Sequence, residues 1–355
     1  LGLVFNAALG VIMSLFLSLG AGTILSGVGV ADALMQPAKT YLQIVGGFCI
    51  LNALIPICSS YLRAFGFSKE PLYASIIGNV INFCLNAFFL FVLHKGVAGV
   101  ATATVISRII NLVIVVLLGA VLVKAKQHPE RESNRAVMGQ IIRIGLPSAC
   151  ETAIYNVSMT LVIRFLNQMD AQGLNVTARS YTMQITNFSY CVGAALAQAN
   201  AIMTGWHIGA KEYDACDRGT KKAAVIGVIV AVILETVFTL CSGWIMQLFS
   251  KDPQMVSLVG KLLAIDIVLE IGRVTNLVYG QALKTSGDAV FPVVMGACFM
   301  ILCSVGGTYL FGIRLGLLAV GAYIGMTGDE CVRAVGMYLR WKSGKWKEKG
   351  LVKSR

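Results

Sequence analysis

Residues 97–123 read VAGVATATVISRIINLVIVVLLGAVLV, one continuous apolar run. About 20 apolar residues in a helix cross the hydrocarbon core of a bilayer. Lipid cannot satisfy a free backbone amide or carbonyl, so a run of this length reads as a membrane-spanning α-helix. Working outward, similar runs lie near 3–25, 41–62, 72–93, 143–166, 178–205, 223–249, 257–282, 290–312 and 316–340. They are joined by short polar turns such as Phe67-Ser68-Lys69-Glu70-Pro71, Ser250-Lys251-Asp252-Pro253 and Ser286-Gly287-Asp288. A transmembrane barrel needs alternating segments of about ten residues, and these runs do not alternate. The expected fold class is therefore an all-α polytopic membrane protein with about ten transmembrane helices.

Composition agrees. Of the 355 residues, 57% are apolar and 13% charged, with a mean hydropathy of +0.76, whereas a soluble domain is about 45–50% apolar and about 25% charged. So few charges cannot clothe a water-exposed surface, which disfavours a soluble enzyme, a disordered tail and a nucleic-acid module. The net charge of +12 has a topological meaning. With residue 1 on the cytoplasmic side, the inner loops and tail hold 19 Lys and Arg residues and the outer loops and helix ends hold six. That asymmetry is the positive-inside bias; it predicts both ends in the cytoplasm and no nucleic-acid partner. Nine of the ten cysteines fall inside apolar stretches without a CxxC or Cys/His cluster, where cysteine acts as a small hydrophobe. Neither a disulfide framework nor a zinc site is expected.

The chain repeats itself. Leu62-Arg63-Ala64-Phe65-Gly66-x4-Pro71 returns as Leu283-Lys284-Thr285-Ser286-Gly287-x4-Pro292, an offset of 221. One residue off that register, Gly96-x3-Val100-x2-Ala103 is similar to Gly316-x3-Val320-x-Ala322. Two lobes in the same membrane orientation follow, an arrangement common in transporters. The expected domains are an N-lobe of four spans over 1–124, a polar cytoplasmic linker over 125–142, a C-lobe of six spans over 143–341, and a basic tail over 342–355. Four spans against six predicts two further helices before residue 1, on the order of 80 residues by the offset of the repeat, completing two pseudo-symmetric six-helix lobes.

At this point the residues resemble the multidrug and toxic compound extrusion (MATE) transporters. The segments that carry the likeness are Leu62-Arg-Ala-Phe-Gly-x4-Pro71, Asn82-x3-Asn86, Gly96-Val-Ala-Gly-Val-Ala-Thr-Ala-Thr104, Gly145-Leu-Pro147, Gln198-Ala-Asn-Ala-Ile-x2-Gly205-x3-Gly209-Ala210 and Glu270-x-Gly-Arg273-x2-Asn276 followed by Gly287-Asp288. The resemblance implies two six-helix lobes around a central cavity, alternating access, and export of organic cations in exchange for Na⁺ or H⁺, with no other cofactor.

Polar residues inside the spans are the candidate site, because a charge at the bilayer centre costs about 2.5–3.5 kcal/mol even on the lenient insertion scale. Glu151 lies four residues beyond Pro147, with Tyr155 one turn further and Asn156 adjacent. Proline leaves backbone carbonyls unpaired, and an acid beside them can bind a cation, Na⁺ included, or exchange a proton; the alternative is a carboxylate bonded to a neighbouring helix. Sodium-coupled relatives carry an acid on the corresponding helix, commonly further along. Asp266, Glu270 and Arg273 follow i, i+4, i+7 spacing. Glu270 pairs locally with Arg273, which leaves Asp266 without a local cation and makes it the second candidate for Na⁺ or H⁺. Glu235, alone in its span, would hold a proton or be matched by a residue elsewhere.

Ser75, Asn79, Asn82 and Asn86 form one polar stripe, read either as interhelical hydrogen bonding or as a cavity wall. The resemblance matches Asn82, Asn86 and Thr104 to an N-lobe proton site, although an amide at Asn86 stands where the family has a titratable acid. Tyr181, Gln184, Asn187, Cys191 and Gln198 share a face of the sixth span, with Gly and Ala dense over 193–205, which allows close helix approach. Asp329, Glu330 and Arg333 read as a local ion-paired cluster. No GxxxxGK[ST], DDxxD, HExxH or GxSxG motif occurs, so ATP-driven pumping and the common membrane-enzyme chemistries are disfavoured. Asn175-Val176-Thr177 is a formal glycosylation sequon on an outer loop, relevant only in a eukaryotic secretory setting. The expectation is thus a monomeric secondary exporter of amphiphilic cations, not an enzyme, in a bacterial inner membrane. The alternatives are a lipid-linked precursor flippase of the same superfamily and a non-transporting receptor or scaffold.

Overall fold

A computed structural model describes residues 1–28, 32–123, 134–169 and 173–349. Every predicted run is occupied by helix, and no strand occurs among the described residues. Among the described residues, five helices are long and apolar enough to cross a membrane, or six when one bent pair counts as a single span. Of the remaining long helices, Asn134–Met169, Leu174–Gly209, Pro253–Thr285 and Leu318–Lys342 carry polar residues of the site described below. Half of the predicted linker, 125–133, lies outside the described residues, and helix begins at Asn134 rather than at 143. The chain divides into two compact units, Leu1–Gly139 and Gln140–Arg355.

The first unit holds α1 (Gly2–Leu19), α2 (Ala21–Val28), α3 (Asp32–Gly47), α4 (Ile50–Ala64), α5 (Lys69–Ala87, continued by a π turn at Phe88–Val92) and α6 (Gly96–Leu122). The run read as one span over 41–62 is bent by 41° between α3 and α4. The Ser14 hydroxyl of α1 accepts from the Ile50 amide at 3.0 Å, and a side chain inserted into the backbone ladder is a known cause of a sharp kink. The stripe on α5 bonds across to α6: Asn82 donates to the Ser107 hydroxyl at 3.2 Å and Asn86 donates to Asn82 at 3.0 Å. Thr104 donates to its own helix at the Val100 carbonyl, 2.9 Å away, and Asn79 is exposed.

The second unit holds α7 (Asn134–Met169, its first residues in the other unit), α8 (Leu174–Gly209), α9 (Tyr213–Leu240), α10 (Ser242–Met246), α11 (Pro253–Thr285), α12 (Val290–Phe299, continued by π segments at Met300–Val305 and Thr308–Arg314) and α13 (Leu318–Lys342). Asp252 caps α11, accepting from the Gln254 amide at 3.0 Å, and Pro253 takes the first helical position, where its missing N–H costs nothing. Helix α11 is central, packed against α8, α9 and α13. Val274 of α11 wedges between Gly193 of α8 and Gly227 of α9; a Cβ at either glycine would come within 2.8 Å of its side chain. The Gly/Ala-rich stretch of α8 is therefore a packing seam. The repeat is visible in the backbone: Gly66 and Gly287, matched by the offset, both have φ of +90°, a conformation that L side chains resist. A π turn precedes α6 and another precedes α13.

A clamp closes one end of this unit. Asp288, buried in the α11–α12 turn, accepts from Arg340 Nε and from Lys349 Nζ, each at 2.7 Å. Trp341 and Trp346 stack at 4.1 Å between centroids, and Trp341 donates to Asp217 at 2.9 Å. Burial alone would raise the Asp288 carboxyl, but hydrogen bonds from Arg340 and Lys349 outweigh it and hold the group below the ordinary aspartate range. A depressed carboxylate stabilises the folded state fully above the pH where a free aspartate ionises, and the contribution fades as pH falls through the lower, folded value. Tryptophan fluorescence of Trp341 and Trp346 should therefore report release of the 342–349 segment as pH drops below the ordinary aspartate range. Asp288→Asn should weaken docking of this segment by about 1–3 kcal/mol, the cost of removing one partner from a buried hydrogen bond, and so speed its cleavage by trypsin at neutral pH. Equal cleavage rates for wild type and variant at neutral pH would contradict the clamp.

Candidate transport site in the second unit

Glycine sets the geometry of the site. A Cβ on Gly272 would meet the Cys331 amide nitrogen at 2.8 Å and the Glu330 carbonyl carbon at 2.9 Å, so α11 and α13 touch backbone to backbone beside their charged residues. Across this contact Arg273 pairs with Glu270 on its own helix and lies 3.8 Å from Glu330. Arg333 pairs with Glu330 at 2.8 Å and with Asp329 at 2.9 Å. Asn276 donates to Glu330 at 3.0 Å, and Ser304 of α12 donates to Asp329 at 3.0 Å. Buried charges persist when paired and hydrogen-bonded, and these five meet that condition. The local cluster read at 329–333 thus extends to α11 through Glu330.

Two acids stand outside the network. Asp266 is 2% exposed, and its Oδ2 is buried with no hydrogen-bond partner among the described residues. Glu235 on α9 is fully buried, neither oxygen is hydrogen-bonded among the described residues, and Ser189 lies beside it. Its charged neighbours are Asp266, Glu270 and Arg273, so the acid that looks isolated in sequence shares a region with the α11 face.

Two adjoining cavities open beside this framework. The smaller, about 220 Å³, is lined by Tyr155, Arg179, Asn187, Tyr190, Asp266, Arg273, Tyr323, Asp329 and Glu330 among others. The larger, about 510 Å³, is lined by Glu151, Tyr155, Asn156, Tyr190, Arg273, Asn276, Gln281, Lys284, Glu330 and Arg333 among others. The second lies within the range of about 300–1,000 Å³ usual for small-molecule sites. Glu151 sits in the larger cavity 2.6 Å from Lys284 Nζ. Of the sequence candidates, Glu151, Tyr155, Asp266, Arg273 and Asn187 come together on these walls. Glu270 and Glu235 lie behind them, whereas Gln184 and Gln198 line neither cavity. Asn79, Asn82, Asn86 and Thr104 belong to the other unit. No group of three or more metal-ligating side chains occurs among the described residues, so a Na⁺ ion at Glu151 or Asp266 would draw on carbonyl, hydroxyl and amide oxygens as well.

Several wall residues escaped the sequence reading, Tyr190 on both cavities among them. Lys284, counted with the cytoplasmic basic residues, continues the face of Asp266, Glu270 and Arg273 through Leu277 and Gln281, a helical spacing that was available. Arg179, counted at an outer helix end, is 5% exposed with Nη2 3.6 Å from Met159 Sδ. Tyr323 of α13 offers no spacing signal against α7 or α8.

The MatE family model matches residues 1–88 and 147–310, and an uncharacterized transporter of Bacillus subtilis, YisQ, is 34% identical over 331 residues, covering 92% of this chain and 72% of that protein. The chain belongs to the MATE family of transporters. A Thermotoga maritima protein named "Probable multidrug resistance protein NorM" is 22% identical, covering 96% of this chain and 76% of its own length. Crystal structures agree on the fold: a MATE protein in the bent conformation gives a TM-score of 0.87 at 18% identity, over 98% of this chain and 78% of that one. A MOP superfamily transporter from Pyrococcus furiosus, described as having a binding pocket of reversed polarity, gives 0.88 at 18% identity over 97% and 78%. As a MATE transporter the chain is a multi-pass membrane protein, as its composition implied.

Proposed function

We propose that this MATE transporter is an ion-coupled exporter of amphiphilic organic cations, working by alternating access as a monomer in the bacterial inner membrane with both ends cytoplasmic. Either Na⁺ or H⁺ drives it, and no other cofactor takes part. Asp266 carries the reading: an almost fully buried carboxylate with an unpartnered oxygen, on the wall of a cavity lined by tyrosines. Such a group is neutralised by a proton, a metal ion or an organic cation, and only one can occupy it at a time. Occupancy by the coupling ion therefore expels the substrate, which is the differential interaction that any ligand-driven conformational change requires. Glu151 supplies a second carboxylate on the adjoining cavity, exchangeable when its ion pair with Lys284 opens, and Glu235 a third acid behind the wall.

Ethidium efflux from vesicles under separately imposed Na⁺ and H⁺ gradients tests the reading. One gradient should drive efflux and the other should not, and Glu151→Gln should lower the driven rate by roughly 5- to 150-fold, the span of a coupling free energy of about 1–3 kcal/mol. Ethidium extrusion by Glu151→Gln at the wild-type rate would remove Glu151 from the exchange, and indifference to both gradients would refute ion coupling.

A further inference from the structure

The larger cavity contains an ion pair whose cationic half, Lys284, cation export does not use. Its cations are Lys284, Arg273 and Arg333, and its acids are Glu151 and Glu330. Three of these five are committed: Arg273 to Glu270, and Arg333 and Glu330 to each other with support from Asp329 and Asn276. Lys284 and Glu151 are different. They join α11 to α7 at 2.6 Å, with 20% and 17% of their side chains exposed to the cavity, and neither makes a second ion pair among the described residues. Tyr155 and Tyr190 wall the same space, 40% and 41% exposed.

A ligand that opens this pair must replace what it removes, because a partly buried charge stripped of its partner is costly. A simple cation on Glu151 strands Lys284, and a simple anion on Lys284 strands Glu151. A molecule carrying both charges strands neither, since its anionic group takes the place of Glu151 at Lys284 while its cationic group meets the released Glu151. One ion pair becomes two at constant net charge. We propose that the larger cavity is a subsite for zwitterionic aromatic amphiphiles, with a carboxylate on Lys284 Nζ and the cationic centre on Glu151. The substrate class rests on the transport reading above, whereas the subsite itself is defined by binding.

Rhodamine 110 and its methyl ester, rhodamine 123, share one cationic ring system and differ in a free carboxylate. Fluorescence anisotropy of each dye with the detergent-purified protein, without any ion gradient, measures the subsite directly. Wild type should bind rhodamine 110 about tenfold more tightly than rhodamine 123, the value of one charge-assisted hydrogen bond. Lys284→Met and Glu151→Gln should each bring the ratio of the two dissociation constants close to one. The charge-swapped double variant, Lys284→Glu with Glu151→Lys, restores an ion pair and should restore the preference with the ligand reversed, which decides the matter if either single variant fails to fold. Equal affinities in wild type, or a preference that survives both single variants or is absent from the folded swap, would overturn the subsite. Because no gradient is involved, a protein that binds with this preference yet exports neither dye refutes the exporter reading alone.

Discussion

Asp266→Asn should cut gradient-driven ethidium efflux to a small fraction of the wild-type rate while leaving the protein as stable as wild type or more so. Asparagine keeps the shape of the side chain but cannot exchange a proton or balance a cation. The buried Oδ2 of Asp266 has no partner to lose among the described residues, so replacing the carboxylate with an amide removes an uncompensated charge at little cost in packing. The expected fall in driven rate lies at the upper end of roughly 5- to 150-fold, with no fall in the thermal unfolding midpoint in detergent. Both measurements are needed, because a variant that loses efflux and stability together would assign Asp266 to the fold. Wild-type efflux under both gradients would assign the exchange elsewhere, Glu235 being the next acid to replace.

Gly321→Ala and Gly325→Ala should destabilise the second unit more than any substitution on its lipid-facing surface. The added Cβ at Gly321 would collide with the Phe311 carbonyl carbon and lie 2.5 Å from the Gly312 amide nitrogen. At Gly325 it would meet the Cys303 carbonyl oxygen at 2.8 Å and the Gly307 carbonyl carbon at 2.9 Å. These obstacles are backbone, which no rotamer change can move, so α12 and α13 must separate, and with them Ser304 from Asp329. Forced overpacking costs about 1–3 kcal/mol, occasionally more; the upper end is expected for Gly321→Ala, with weakened dye binding alongside. Gly328 on the same helix has open space around its Cβ position, and Gly328→Ala should be neutral or stabilising by up to about 1 kcal/mol. A detergent melting series that ranked Gly328→Ala below Gly321→Ala would contradict this account of how the two helices are held.

Particular residues show where sequence reasoning stops. Glu270 and Arg273 were readable as a pair because one helix dictates their separation. Asp329, Glu330 and Arg333 were readable as a cluster for the same reason. The bridge between the two groups, Arg273 to Glu330, depends on Gly272 admitting α13 at backbone distance, which no periodicity within α11 reveals. Glu151 was legible as an intramembrane acid, but its partner 133 positions away was not, although Lys284 lay on the extended face of Asp266. The bend between α3 and α4 escaped because its cause is a serine on another helix.

Apolar run lengths, the polar turns between them and the repeat at 221 residues by themselves determined an all-helical membrane protein built twice over. Lipid forces each span to satisfy its own backbone, so helices can be read one at a time. Charge pairing between helices is not local. Which acids stay unpaired among the described residues, Asp266 and Glu235, and which lie in ion pairs, Glu151 with Lys284 and Glu330 with Arg333, was decided only by how closely the helices pack, because the energy of a buried charge depends on partners that the chain brings from elsewhere.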